Sequence, residues 1–270
     1  MSPHRPLILI SNDDGIASPG LEALAAAVEP LAEVLVVAPS SPQSGAGRSM
    51  IWGSRTIERY PWPLAGVTAY AVDAAPALCV RVALSLLAPR PPALMLSGIN
   101  LGENVGADVT ISGTVGAALE AAANGVPSVA VSLEAAVEYH DNPKPGLDYR
   151  AAAAFARRLT RGLLVHGMPA GVDRLKVDVP AVSGLDLPWR ATRISRQMYW
   201  RPVIELGPEG AKRILGYERG WDLPTLEPDS DIHALVIDRA ISISPMTVDL
   251  SARVDQADLA RLLAERLWSY

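Results

Sequence analysis

One cysteine, Cys79, occurs among 270 residues. A lone thiol closes no intrachain disulfide, which excludes the disulfide-stapled secreted class. Aromatic residues make up only 5%, with Phe155 the sole phenylalanine, so platforms for stacking a single-stranded nucleic acid are few. Basic residues are short as well: 24 Lys and Arg face 29 Asp and Glu, for a formal net charge of −5. A bulk nucleic-acid partner needs a basic face and is not expected. Long apolar runs are missing too. The first, Leu7 to Ile10, has four residues, against the roughly seven to fifteen of an export signal. The longest later stretch, Ala77 to Ala88, is broken by Arg81 and falls short of the roughly 18 residues that span a bilayer. The expectation is a soluble, cytoplasmic chain with no membrane partner.

What is present is an ordinary globular composition, 49% apolar and 20% charged, rich enough to bury a core. From residue 6 to about 180 a short apolar run, a small polar loop and a stretch of helical spacing recur, which is βα alternation. Leu7–Ile10, Val34–Val37, Ala93–Leu96, Val129–Val131 and Leu175–Val179 read as strands of a parallel sheet covered on both faces. Leu21, Leu24, Ala25 and Val28 share one helix face, with Pro19 able to open that helix and Pro30 to end it. Ser49–Arg59 and Val67–Val72 flank the breakers Tyr60 to Pro63 and predict a hairpin. Residues 136–147, with Pro143, Pro145 and Gly146, read as an exposed connection, followed by a helix from Tyr149 to Val165. The expected organisation is a catalytic core over 1–180, an extended β-rich arm over 181–230 serving oligomerisation, and 231–270 returning to the core. That last part reads as a strand, Ala234–Ser244, and a helix whose Leu259, Leu262, Leu263 and Leu267 share a face.

In an open parallel sheet, ligands sit beyond the carboxyl ends of the strands. Ser11-Asn12-Asp13-Asp14-Gly15 follows the first run and sets two acids side by side. The pair reads either as a turn or as a site for a hard cation, Mg²⁺ or Mn²⁺, that offsets the repulsion. The second run leads into the small-residue loop Pro39 to Gly47, whose Ser44 hydroxyl can reach a metal and whose backbone N–H groups, Gly45 included, can approach an anion. The third leads into Ser97-Gly98-Ile99-Asn100 and on through Asn104 to Gly106. Asn100 offers another hard oxygen. Ser112-Gly113-Thr114 precedes an Ala-rich helix and reads as an N-cap or as a phosphate cradle. All four motifs fall on one predicted sheet edge, and hard-metal ligands beside a phosphate cradle imply phosphoryl chemistry.

These motifs resemble those of the SurE survival-protein nucleotidases, metal-dependent phosphatases acting on nucleoside monophosphates. Ser11 to Gly15 looks like that family's amino-terminal signature. Gln43-Ser44-Gly45, Ser97 to Asn100 and Ser112-Gly113-Thr114-Val115 follow in its order, and Ser242-Ile243-Ser244-Pro245 is similar to a late family segment. The likeness is strong over residues 7–133. It implies one divalent ion per subunit held by Asp13, Asp14, Ser44 and Asn100, with Asp13, Asp14 and Asn100 catalytic. It also implies Gly45, Asn104, Ser112, Gly113 and Thr114 at the substrate phosphate, a Rossmann-like core, an arm exchanged between subunits, and a homodimer or homotetramer. Two departures stand out. Ala75 and Leu78 replace a family Thr and Asp, and Arg48 stands where many relatives have His.

Other residues carry less. His4, His140, His166 and His233 are scattered without zinc spacing. Cys79 reads as packing, and Glu227, Asp229 and Asp231 read as a solvated turn. Trp200 and Trp221 read as a subunit interface or as local anchors. Two alternatives to a nucleotidase are a non-enzymatic, receiver-like Mg²⁺ module, for which Asp73 is the only plausible phosphate acceptor, and a phosphatase of another family. An aspartyl-nucleophile phosphatase wants its two acids one residue apart; here they are adjacent.

Overall fold

Leu7–Ser11 (β1) is apolar on both sides because both of its faces are covered, and every one of its residues is buried. The computed structural model describes residues 5–140, 147–181, 184–207 and 211–267. His4, Pro143, Pro145 and Gly146 lie outside them. In chain order β1 is followed by Pro19–Val28 (α1), Glu33–Pro39 (β2), Ile57–Arg59 (β3), Thr68–Val72 (β4), Pro76–Val82 (α2) and Leu94–Leu101 (β5). Then come Gly113–Ala123 (α3), Ser128–Leu133 (β6), Arg150–His166 (α4), Arg174–Val179 (β7) and Trp189–Ala191 (β8). The rest is Trp200–Leu206 (β9), Lys212–Arg219 (β10), Ile241–Met246 (β11) and Gln256–Leu267 (α5).

One nine-stranded sheet runs β3-β4-β2-β1-β5-β6-β7-β11-β8. Strands β4 through β7 in that order are parallel, while β3 and β11 pair antiparallel with β4 and β7. Alternate residues along each strand feed two cores. Ile8, Ile10, Val34 and Val36 meet α1 and α4 on one face; Leu7, Leu9, Leu35 and Val37 meet α2 and α3 on the other. The chain winds from β1 toward β2 and β4, then returns to place β5 on β1's other side. That reversal opens a crevice at the carboxyl ends of β1 and β5. Among the described residues no helix is long and apolar enough to cross a membrane.

Several expectations change. Ser97 to Asn100 is not a loop: β5 continues through it to Leu101, with a register shift against β6 between Gly98 and Asn100. Gly98, at φ +130°, permits this, since an added Cβ would lie 2.2 Å from the Val131 carbonyl oxygen. Of Ser49–Arg59 only β3 is strand, and Ile51 and Trp52 are exposed. Within 181–230, β9 and β10 form a separate antiparallel hairpin, but β8 joins the main sheet beside β11. Ala234–Ser244 is not continuous strand. The Ser230 and Asp231 side chains accept N–H bonds from His233 and Ile232, which starts a helical turn over His233–Ile237 before β11. The terminal helix α5 does not return to the core, for none of its residues is buried.

The departure at residues 74–79 has a structural consequence. Helix α2 starts at Pro76 with Ala75 as its N-cap, and no side chain caps it; Leu78 is buried in the α2–α3 core. The Ala75 backbone is already extended (φ −64°, ψ 155°), so Ala75→Ser should stabilise the fold by about 1 kcal/mol. Urea denaturation checks this, and an unchanged midpoint contradicts it.

Candidate metal and phosphate site

The two acids after β1 part ways. Asp13 is buried at the start of α3, where its carboxylate accepts from the Thr114 hydroxyl and from the backbone N–H groups of Gly113 and Thr114. The positive end of the helix dipole favours that negative charge. Gly113 makes the approach possible, because an added Cβ would lie 2.8 Å from Asp13 Cβ and Oδ2. Asp14 stands half-buried, its Oδ2 accepting the Leu101 N–H at 3.2 Å. Burial, and then the neighbouring Asp13 charge, push the Asp14 carboxyl up to about 8. Burial raises Asp13 too. Neither acid pairs with a Lys, Arg or His among the described residues.

Other oxygens surround them. The loop after β2 is tied down by Gln43 N–H to the Asp13 carbonyl (2.8 Å) and Gly47 N–H to the Ile111 carbonyl (2.9 Å), which sets Ser44 and Gly45 beside the acids. Asn100 spends its amide nitrogen on the Gly102 carbonyl at 2.7 Å, leaving its side-chain oxygen to accept. Asp13, Asp14, Ser44, Asn100, Gly45, Asn104 and Ser112 all line one cavity of about 440 Å³, within the range of small-molecule sites. No group of three or more His, Cys, Asp or Glu fit for a metal occurs among the described residues. A cation here would rest on two carboxylates and the neutral oxygens of Ser44 and Asn100. Such hard donors suit Mg²⁺ or Mn²⁺ rather than zinc, and two carboxylates without a cation among the described residues fit that need.

Gly113 and Thr114 are a correction. Both are buried and neither lines the cavity, because the helix N-terminus expected to cradle phosphate is taken by Asp13. Ser112 keeps a share: its oxygen accepts the Val115 N–H at 3.1 Å, which leaves its own proton free to donate. Asn104 is fixed at both ends, donating from Nδ2 to Ser132 Oγ (2.8 Å) and from its backbone N–H to Asp178 Oδ1 (2.7 Å).

The family model described as "Survival protein SurE" matches residues 8–201. The chain belongs to the SurE family. It is 39% identical to a protein named 5′-nucleotidase SurE from Methanocella arvoryzae, over 96% of this chain and 98% of that one. It is 38% identical to one of the same name from Thermococcus gammatolerans, over 95% of each. The crystal structure of the SurE protein from Aquifex aeolicus superposes with a TM-score of 0.76 at 29% identity, covering 96% of this chain and 98% of that one.

Beneath the cavity this SurE-family chain carries buried charge that the sequence reading missed. Lys176 pairs with Asp178 and, at 3.1 Å, with Asp231, and all three are essentially inaccessible. Asp231, read as part of a solvated turn, also accepts from Gly106, Ser195 and Ile232 N–H groups. The signal was in β7, where Arg174, Lys176 and Asp178 alternate with apolar residues in a strand buried on both faces. Glu103 likewise accepts from Tyr199 Oη and Arg219 Nε. His140, set aside for want of zinc spacing, lines the cavity. Arg48 reaches Glu120 at 2.8 Å, and Arg81 bonds that carboxylate's other oxygen.

In metal-free protein the folded state holds the Asp14 proton to about pH 8, whereas an unfolded aspartate releases it near about 3.9. The folded state binds more protons between those values, so this contribution is full below about pH 4 and is lost as pH rises through about 8. In EDTA, urea midpoints should fall from about pH 5 to about pH 8.5, and less steeply in Asp14→Asn; equal slopes contradict the assignment. Lys176→Met leaves two facing buried carboxylates and should cost about 3–5 kcal/mol of stability. A loss below about 1 kcal/mol by the same method contradicts the network's role.

Proposed function

We propose that this chain is a divalent-cation-dependent 5′-nucleotidase, releasing phosphate from nucleoside 5′-monophosphates, with 3′-monophosphates as a second substrate class. The observation that carries this reading is the Asp13–Asp14 pair, without a cation among the described residues, on the wall of a cavity of small-molecule size. The relatives' shared name, 5′-nucleotidase SurE, supports it. In this reading Asp13, Asp14, Ser44 and Asn100 hold one Mg²⁺ or Mn²⁺ per subunit. When bound, such an ion supplies a Lewis acid that polarises a phosphoryl oxygen and acidifies water.

The chain's own groups do the rest by standing still. Asp13 is locked by three donors from α3, so its charge needs no reorganisation during the reaction. Asn100 is oriented by its bond to Gly102. Ser112 through its hydroxyl, Gly45 through its N–H and Asn104 through its amide form the polar wall toward the phosphate oxygens. A receiver-like module gains no support: Asp73 follows β4, which β2 separates from β1, and pairs with Arg55 at 3.5 Å. The same proposal extends to a homodimer or homotetramer, an assembly that would cover the leucines exposed along α5.

Phosphate release from nucleoside monophosphates is expected with Mg²⁺ or Mn²⁺, to vanish in EDTA and to return when the metal is restored. Asp13→Asn should lower kcat by at least about a hundredfold, the scale of one lost preorganised charge, while its unfolding midpoint shows it folded. Near-wild-type turnover in that variant, or full activity in EDTA, refutes the reading.

A further inference from the structure

The scarce aromatic residues are not scattered. Trp200, Tyr217 and His140 line the same cavity as the acid pair, with Pro202 and Gly216 beside them. Trp200 meets His140 edge-on at 5.5 Å and Tyr217 edge-on at 5.2 Å. His140 stacks on Tyr217 at 5.9 Å, and its Nδ1 lies 2.9 Å from the Tyr217 hydroxyl oxygen. Trp200 is half-buried and Tyr217 is 39% exposed.

This wall is tied to the acid end of the cavity through one segment of chain. Leu101 N–H bonds Asp14, and the next residue, Gly102, packs its α-carbon against the His140 ring, where an added Cβ would lie 2.9 Å from Nε2. Further along, Glu103 takes Arg219 Nε at 2.6 Å, and Asp108 Oδ2 accepts the N–H groups of Tyr199 (2.6 Å) and Trp200 (2.9 Å). The hairpin that carries the rings is therefore anchored to the segment that carries Asn104. The faces of such rings carry partial negative charge and do not attract a phosphate. They suit a flat π-face.

We propose that Trp200 offers the face on which the substrate's nucleobase stacks, with Tyr217 set edge-on to it closing the side of the same wall, a specificity-determining subsite that rests on the nucleotidase reading above. Every base has a π-face, so the wall accepts all four while favouring purines, whose larger face covers more of it. Its contribution is to binding the base and leaves the phosphate chemistry alone.

The test compares adenosine 5′-monophosphate with ribose 5-phosphate, the same ester without a base, in saturating Mn²⁺. Trp200→Ala should raise KM for the nucleotide about tenfold, the scale of one lost base–aromatic stack, leave its kcat within about twofold, and leave ribose 5-phosphate unaffected. Trp200→Phe should restore most of the loss. An equal change for both esters, or none for the nucleotide, overturns the proposal. Should Trp200→Ala fail to fold, Tyr217→Ala is read against the same outcomes. Calorimetry with adenosine, which needs no turnover, separates the two readings. If neither ester is hydrolysed but adenosine binds wild type and weakens about tenfold in Trp200→Ala, the nucleotidase reading fails and the wall stands. If both esters are hydrolysed and adenosine binding is indifferent to Trp200, the wall alone fails.

Discussion

Two carboxylates set side by side at the end of a buried strand, with no cation among the described residues to neutralise them, are the constraint around which this molecule is arranged. Each would be costly on its own in that position. The chain stabilises one of them, Asp13, by giving it the N-terminus of α3 and the Thr114 hydroxyl. It leaves Asp14 with a single backbone donor and a raised pKa. The asymmetry defines a place where positive charge is favoured, and it lies in the crevice where the winding order of the sheet reverses.

Holding that place requires the loops around it to be stiff. Connections at strand ends ordinarily move more than the strands they join, yet the run from Asn100 to Ser112 is pinned along its length. Asp178 and Asp231 hold Asn104 and Gly106 from below, with Lys176 as their shared counter-ion. Glu103 and Asp108 fasten the same run to the β9–β10 hairpin. Such buried ion pairs are weak evidence for net stability, since desolvation offsets most of their attraction. Their value here is geometric, because backbone N–H groups bonded to buried carboxylates have one position rather than many.

How much of this was legible in the sequence depended on what each residue's environment requires. Parallel strands covered on both faces must be apolar runs, so β1, β2, β6 and β7 could be read directly, and polar small-residue motifs beyond their ends marked the cavity. Asp13, Asp14, Ser44, Asn100, Gly45, Asn104 and Ser112 were singled out that way, and the structure gathers them around one space. The helix start at Ser112 was legible as an anion site, but nothing local could tell that the protein's own Asp13 takes Gly113 and Thr114 there, away from the cavity lining. Asp231 was misread because its burial depends on Lys176, on a strand far earlier in the chain. The leucines of α5 announced an apolar face without saying what covers it, and Ser97 to Asn100 hid a strand behind loop-like residues because Gly98 tolerates the close approach of Val131.

In the proposed reading a nucleotide lies along this cavity, its phosphate toward the acids and polar loops and its base toward the hairpin's rings. Family membership and the relatives' shared name agree with it, but everything chemical hangs on whether positive charge gathers beside Asp13 and Asp14. Anomalous scattering from crystals soaked in manganese tests that most directly. The account predicts one strong peak per chain in contact with both carboxylates and with Ser44 and Asn100; a map with no peak beside the two acids contradicts it.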